Sequence, residues 1–215
     1  MRCLALLCRH GNTFNSGEMV FMVGAREDLP LTDYGRTQAS QMGEVVKSWA
    51  PMVVAVLAGP LQRTSQYASV LCSAAGIHRH VVIDERLLEF DYGPWSGLSS
   101  DEITQLSGEE ALRRWQEESI RPPGISFVPD EVTVRHQSED LLKELSRQEG
   151  MSIVVSSNGR LRELGKCVMP QSKDPFRVRT GAACLLEYAN SSWNILGWDL
   201  PVHDLRRILE LNPPE

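Results

Sequence analysis

The sequence predicts an α/β fold over residues 1–215, read as one domain: a doubly wound, mostly parallel sheet flanked by helices on both faces, with an antiparallel edge strand. Three observations lead there. Strand-length apolar runs are followed, four times over, by segments whose apolar residues recur at helical spacing, the alternation expected of βαβ units. Near the end of the chain two further strand-like runs, 182–188 and 193–198, are hinged at Asn190-Ser191-Ser192 and add a hairpin at the edge. The length of 215 residues suits one α/β domain of ordinary size.

Each element has its own signal. Residues 4–8 have the length and composition of a buried strand and end abruptly in Arg9-His10-Gly11. Arg9 and His10 thus lie where that strand leaves the sheet, and Gly11 lets the backbone turn or come close to a ligand. A guanidinium beside an imidazole suits an oxyanion, phosphate above all, because arginine offers a planar fork of fixed donors. Read alone, the pair is weak evidence for that chemistry, and a strand end at the surface is the simpler reading. The loop 15–27 follows, and Phe14, Met19, Phe21 and Met22 either pack back on the domain or wall a pocket. Thr32 caps a helix whose first turn carries Asp33, and Met42, Val45, Val46 and Trp49 form its core stripe until Pro51 breaks it.

A second strand, 52–58, closes at Gly59-Pro60, and the next helix buries Leu61, Ala68, Leu71, Cys72 and Ala75 before ending at Gly76. The third strand, 81–83, is short. Residues 87–97 have no period and carry Glu89, Asp91, Gly93, Trp95 and Gly97. Residues 99–118 read as helical, capped around Ser100-Asp101-Glu102, and the proline-rich stretch 121–129 as a loop. Residues 130–147 form a helix with Val134, Leu141, Leu142 and Leu145 inside. The fourth strand, 151–156, runs into Ser157-Asn158-Gly159 and a helix bearing Leu161, Leu164 and Val168. From Pro201 the chain reads as a short tail ending in Asn212-Pro213-Pro214-Glu215.

Composition narrows the function classes. Twenty-two Lys+Arg against 28 Asp+Glu leave a formal charge of −6, which gives no global attraction for nucleic acid or an anionic membrane, so any basic site is local. The 5 cysteines, Cys3, Cys8, Cys72, Cys167 and Cys184, are odd in number and lack metal-ligand spacing, which suits free thiols in a reducing compartment. The apolar run near Met1 is too short for a signal peptide, and the expected location is cytoplasmic. His78-Arg79-His80 has no nearby acid cluster and reads as exposed rather than metal-binding. Arg113, Arg114 and Arg121 around Trp115 read as a solvated helix face, with the edge of a substrate lid as the other reading.

In parallel sheets ligands bind beyond the carboxyl ends of the strands. Those ends deliver Arg9 and His10, then Arg63 near a helix start, then Glu89, then Ser156, Ser157 and Asn158 at another helix N-terminus. Their joint placement on one rim points to phosphate handling. Arg9-His10-Gly11-Asn12-Thr13 resembles the Arg-His-Gly-x-Thr signature of the histidine phosphatase superfamily, the phosphoglycerate mutase-like proteins. The resemblance continues, in the family's order, through residues 31–39, through Gly59-Pro60-Leu61-Gln62-Arg63-Thr64, through residues 88–97 and, altered, through residues 154–159.

The resemblance implies a phosphomonoesterase acting on a small-molecule phosphate ester. His10 is the implied nucleophile, forming a phosphohistidine, with Arg9 and Arg63 as phosphate clamp and Glu89 as acid and base. No metal or other cofactor is implied, since the arginines supply the positive charge. Two positions depart from the pattern. Ser157 stands where the family has a second histidine, leaving a hydroxyl, with the Asn158 amide beside it, to bind phosphate. Ser16 stands where an asparagine is common, and the neighbouring Asn15 is not assigned that role. The loss at Ser157 makes a mutase a weaker reading than a phosphatase. It also keeps open a non-catalytic binding or regulatory protein on the same scaffold.

Overall fold

The computed structural model describes residues 2–211. Six strands form one mixed sheet in the order β3-β2-β4-β1-β5-β6. These are β1 (Cys3–Arg9), β2 (Val53–Ala58), β3 (Val81–Ile83), β4 (Gly150–Ser156), β5 (Ala183–Ala189) and β6 (Ser192–Leu200). β1 to β4 run parallel, whereas β5 pairs antiparallel with both β1 and β6. Asn190 and Ser191, both at positive φ, make the hairpin turn that joins the last two strands.

Alternation along β1 divides the core. Leu4, Leu6 and Cys8 face helices α1 (Asp33–Val46), α2 (Gln62–Ala75) and α7 (Val202–Leu211). Ala5 and Leu7 face α5 (Glu131–Leu145) and α6 (Asn158–Val168). The helix after β1 and the helix after β4 therefore lie on opposite faces of two neighbouring parallel strands. That arrangement opens a crevice at their carboxyl ends, the switch point of a doubly wound sheet. A third, aromatic cluster of Phe90, Tyr92, Trp95, Ile103, Trp115 and Phe127 forms beneath α3 (Ser100–Ser107) and α4 (Glu109–Arg113).

Local chemistry explains most boundaries. Thr32 accepts a hydrogen bond from Gly35 N as the N-cap of α1, and Gly76, at φ 69, closes α2 in the left-handed region. Three details differ from the sequence reading. The cap of α3 is Ser99, which forms a capping box with Glu102, and the helix breaks at Gly108 before continuing through α4 into a π turn over Arg114–Glu118. The stretch after Pro201 is not merely a tail, because α7 buries Leu205 and Leu209 in the first core. Residues 212–215 lie outside the described part. The cysteines are free, four of them buried and Cys167 half-buried. No helix among the described residues is long and apolar enough to cross a membrane.

Candidate active site

Of the seven residues singled out at the strand ends, Arg9, His10, Arg63, Glu89, Ser157 and Asn158 line one cavity of about 960 Å³, and Ser156 does not. β1 and β4 set its floor. Arg9 and Ser156 are register partners, and His10 N donates to the Ser156 carbonyl at 3.1 Å. Gly11 is required by the fold. A Cβ there would lie 2.7 Å from the Cα of Gly35, so the turn after His10 fits directly onto the first turn of α1. Gln38 braces the same turn, accepting from Asn12 N at 2.8 Å and donating to the Thr180 carbonyl at 3.1 Å.

His10 is buried, and its Nδ1 lies 2.8 Å from the Gly11 carbonyl oxygen. A carbonyl only accepts, so the neutral ring carries its proton on Nδ1 and leaves the Nε2 lone pair free. Burial first, then the charges of Arg9 and Arg63, hold the pKa of His10 well below the ordinary 6.5, against a small opposing effect of the Gly11 carbonyl. Protonation is thereby confined to acid solution, and His10 is an unprotonated imidazole at neutral pH.

Two guanidiniums are held from behind. Arg63, in the first turn of α2, donates to the Gly24 carbonyl at 2.7 Å and to the Glu27 carbonyl at 2.9 Å. Arg9 donates to the Val178 carbonyl at 2.6 Å. Neither pairs with a carboxylate within ion-pair distance among the described residues, so their charges stay available to an anion.

Glu89 is fixed through both oxygens, Oε1 accepting from Phe90 N at 2.8 Å and Oε2 from Gly159 N at 3.0 Å. Tyr92 adds a side-chain hydrogen bond, and burial followed by the Glu89 charge pushes its hydroxyl well above the usual tyrosine range, so it remains a donor. Gly159 is required by close approach, since a Cβ there would lie 2.7 Å from the Phe90 ring and also collide with Glu89. Gly159→Ala is accordingly expected to displace the carboxylate, lowering kcat and costing about 1–3 kcal/mol in a denaturant melt.

At the N-terminus of α6, Ser156 and Ser157 part ways. Ser156 turns into the core and donates to the Leu87 carbonyl at 2.8 Å. Ser157 is 2% exposed, lines the cavity, makes no cap hydrogen bond, and its Oγ has no partner among the described residues. A buried hydroxyl without a partner is costly, and an anion at this helix start would satisfy it. The Asn158 carbonyl oxygen accepts from Val178 N at 2.9 Å, leaving its amide hydrogens as the donors available to a ligand.

Sequence reasoning missed Tyr92, Arg162 and Arg177, which line the same cavity. Arg162 holds the π turn through the Trp115 and Gln116 carbonyls at 2.7 and 2.9 Å, and burial lowers its pKa to about 10, still cationic at neutral pH. With Arg9, Arg63, Arg162 and Arg177 against only Glu18 and Glu89, the cavity is cationic in a chain of net charge −6. Phe14, Phe21 and Met22 do line it, whereas Met19 is exposed elsewhere. Asn15 and Ser16 line it too, and the Asn15 amide donates to Glu18 at 2.8 Å. Arg113 and Arg114 face solvent and pair with Glu110, Glu117 and Glu118, while Arg121 stacks on Phe90 with its guanidinium carbon 4.6 Å from the ring centre. His78 and His80 are exposed.

A family model described as the histidine phosphatase superfamily (branch 1) matches residues 5–201. The chain is 30% identical over 159 residues to the 2,3-bisphosphoglycerate-dependent phosphoglycerate mutase 2 of Gloeobacter violaceus, a match covering 73% of this chain and 70% of that protein. It is 26% identical over 200 residues to the probable phosphoglycerate mutase GpmB of Salmonella arizonae, covering 89% and 88% respectively. A mycobacterial glucosyl-3-phosphoglycerate phosphatase shares the fold, with a TM-score of 0.74 at 22% identity over 92% of this chain and 98% of its own.

Proposed function

This chain belongs to the histidine phosphatase superfamily, and on that premise we propose that it hydrolyses small-molecule phosphomonoesters through a phosphohistidine on His10. The observation that carries the reading is a buried imidazole whose Nδ1 is engaged by the Gly11 carbonyl, set in a cavity with four arginines and one well-held carboxylate, Glu89. In the first step Nε2 of His10 attacks phosphorus, the ester P–O bond breaks, and Glu89, entering the step as the carboxylic acid, gives its proton to the leaving alkoxide and becomes the carboxylate. In the second, Glu89 takes a proton from water, the resulting hydroxide attacks the same phosphorus, and the N–P bond breaks to release phosphate. Arg9 and Arg63 stabilise the equatorial oxygens throughout, with Ser157 Oγ and the Asn158 amide as donors at the helix start. The arginines supply the positive charge, so no metal is assigned a part.

A second reading, a phospho-ligand-binding protein without turnover, draws on Ser157 standing where the family pattern has a histidine. Phosphate release from a panel of phosphomonoesters, with wild type and His10→Ala in parallel, separates the two. Release that depends on His10 supports the hydrolase. Binding without release supports the second reading.

The lowered pKa of His10 has a sign that can be checked. The reactive form is the neutral one, present above the folded-state pKa and lost as pH falls through it. After correction for the substrate's own second ionisation near about 6, kcat/KM is expected to show no histidine limb at 6.5, only one well below it. A limb at or above 6.5 assigned to His10 would contradict the electrostatic argument.

A further inference from the structure

We propose that the part of the cavity beyond the phosphate end is built for the substrate's alcohol, and that this alcohol is a bulky apolar group, aromatic or branched alkyl, rather than a small polyol or hydroxy acid. The inference rests on the reading of Arg9, His10 and Arg63 as the phosphate end. A volume of about 960 Å³ is far more than a phosphate fills, and lies at the upper end of the range that holds a drug-sized molecule.

The loop after His10 contributes Phe14, Val20, Phe21 and Met22 to the wall, and Ile103 of α3 and Trp115 of the π turn, both members of the aromatic core, line it from behind. Phe14 and Phe21 meet edge to face with ring centres 5.0 Å apart. Neither belongs to any of the three apolar cores, and both are half-buried, so core packing does not account for them. Val20 and Tyr34, each 62% exposed, continue the apolar surface on the same cavity. Single exposed apolar residues are ordinary, but a group of them gathered on one cavity wall marks a binding surface.

The wall is also held in place relative to the clamp. Arg63 grips the loop at Gly24 and Glu27, and Met22 exchanges hydrogen bonds with Leu98 and Gly97 at 2.8 Å each. An apolar alcohol would therefore meet a surface already in position, with little ordering cost on binding. A small hydroxylated alcohol would leave that surface in water.

Calorimetric titration with methylphosphonate and benzylphosphonate, whose C–P bonds are not hydrolysed, reads the preference whether or not the protein turns over esters. Benzylphosphonate is expected to bind about tenfold or more tightly, and the ratio of the two affinities is expected to fall towards one in Phe14→Ala/Phe21→Ala. In parallel, kcat/KM for benzyl phosphate should exceed that for glycerol phosphate and 3-phosphoglycerate by about tenfold. Equal phosphonate affinities, an unchanged ratio in the double variant, or 3-phosphoglycerate as the best ester would each overturn the inference, the last by giving specificity to Arg177. Phosphonate discrimination without turnover of any ester would leave the apolar subsite standing and remove the hydrolase reading instead.

Discussion

Replacing His10 by alanine is expected to reduce phosphate release by on the order of 10⁶, the scale seen when a hydrolase loses its covalent nucleophile. The side chain is 6% exposed and makes a single hydrogen bond, to the carbonyl of the next residue, so its loss breaks no long-range tie. The clamp is anchored elsewhere, Arg63 on Gly24 and Glu27 and Arg9 on Val178. His10→Ala is therefore expected to remain folded and to bind inorganic phosphate, and calorimetry on the same preparation checks this. Loss of release with retained binding assigns chemistry to His10. Release near the wild-type rate would place the chemistry on another group.

Glu89→Gln is the second large effect, a loss of about 10²–10⁴ in kcat/KM for alkyl phosphates, whose alkoxides need a proton to depart. The same substitution is expected to matter far less for p-nitrophenyl phosphate, whose leaving group needs none, because kcat/KM reports the phosphorylation step alone. The amide also has a structural cost. Both carboxylate oxygens accept backbone N–H groups, from Phe90 and Gly159, and the glutamine NH₂ must face one of them, forfeiting that bond at about 1–3 kcal/mol. A purely structural defect would lower both esters together, so the ratio between them is the diagnostic quantity. An unchanged ratio would assign proton transfer to a different residue.

Much of this site was legible because a parallel sheet gathers the carboxyl ends of its strands. Arg9 and His10, Arg63, Glu89, and Ser157 with Asn158 lie far apart in sequence, yet strand-end placement alone brings them to one rim. What escaped has physical reasons. Arg162 lies four residues beyond Asn158 on α6, a spacing that would have put it on the same helix face, but nothing in the sequence marked that face as lining a cavity. Tyr92 meets Glu89 from three residues away in a stretch without period, where no spacing rule says which side chains share a face. Arg177 sits on a loop whose position depends on Arg9 and Asn158 both gripping Val178, contacts spanning 169 and 20 residues. Gly11 reads in the sequence as allowing a turn or a close approach to a ligand, and the close approach seen is to the backbone of Gly35. The break at Gly108, at φ 85, lies inside a strongly helical composition that concealed it.

Covalent transfer to His10 is read by rapid mixing with a ³²P-labelled phosphomonoester. The reaction is quenched in alkaline denaturant, which preserves an N–P bond, and the labelled peptide is identified. Up to one label per active site is expected within the first turnover, located on His10 and absent from the His10→Ala protein. Phosphate release from wild type with no protein-bound label at any time, or with label on another residue, would contradict it.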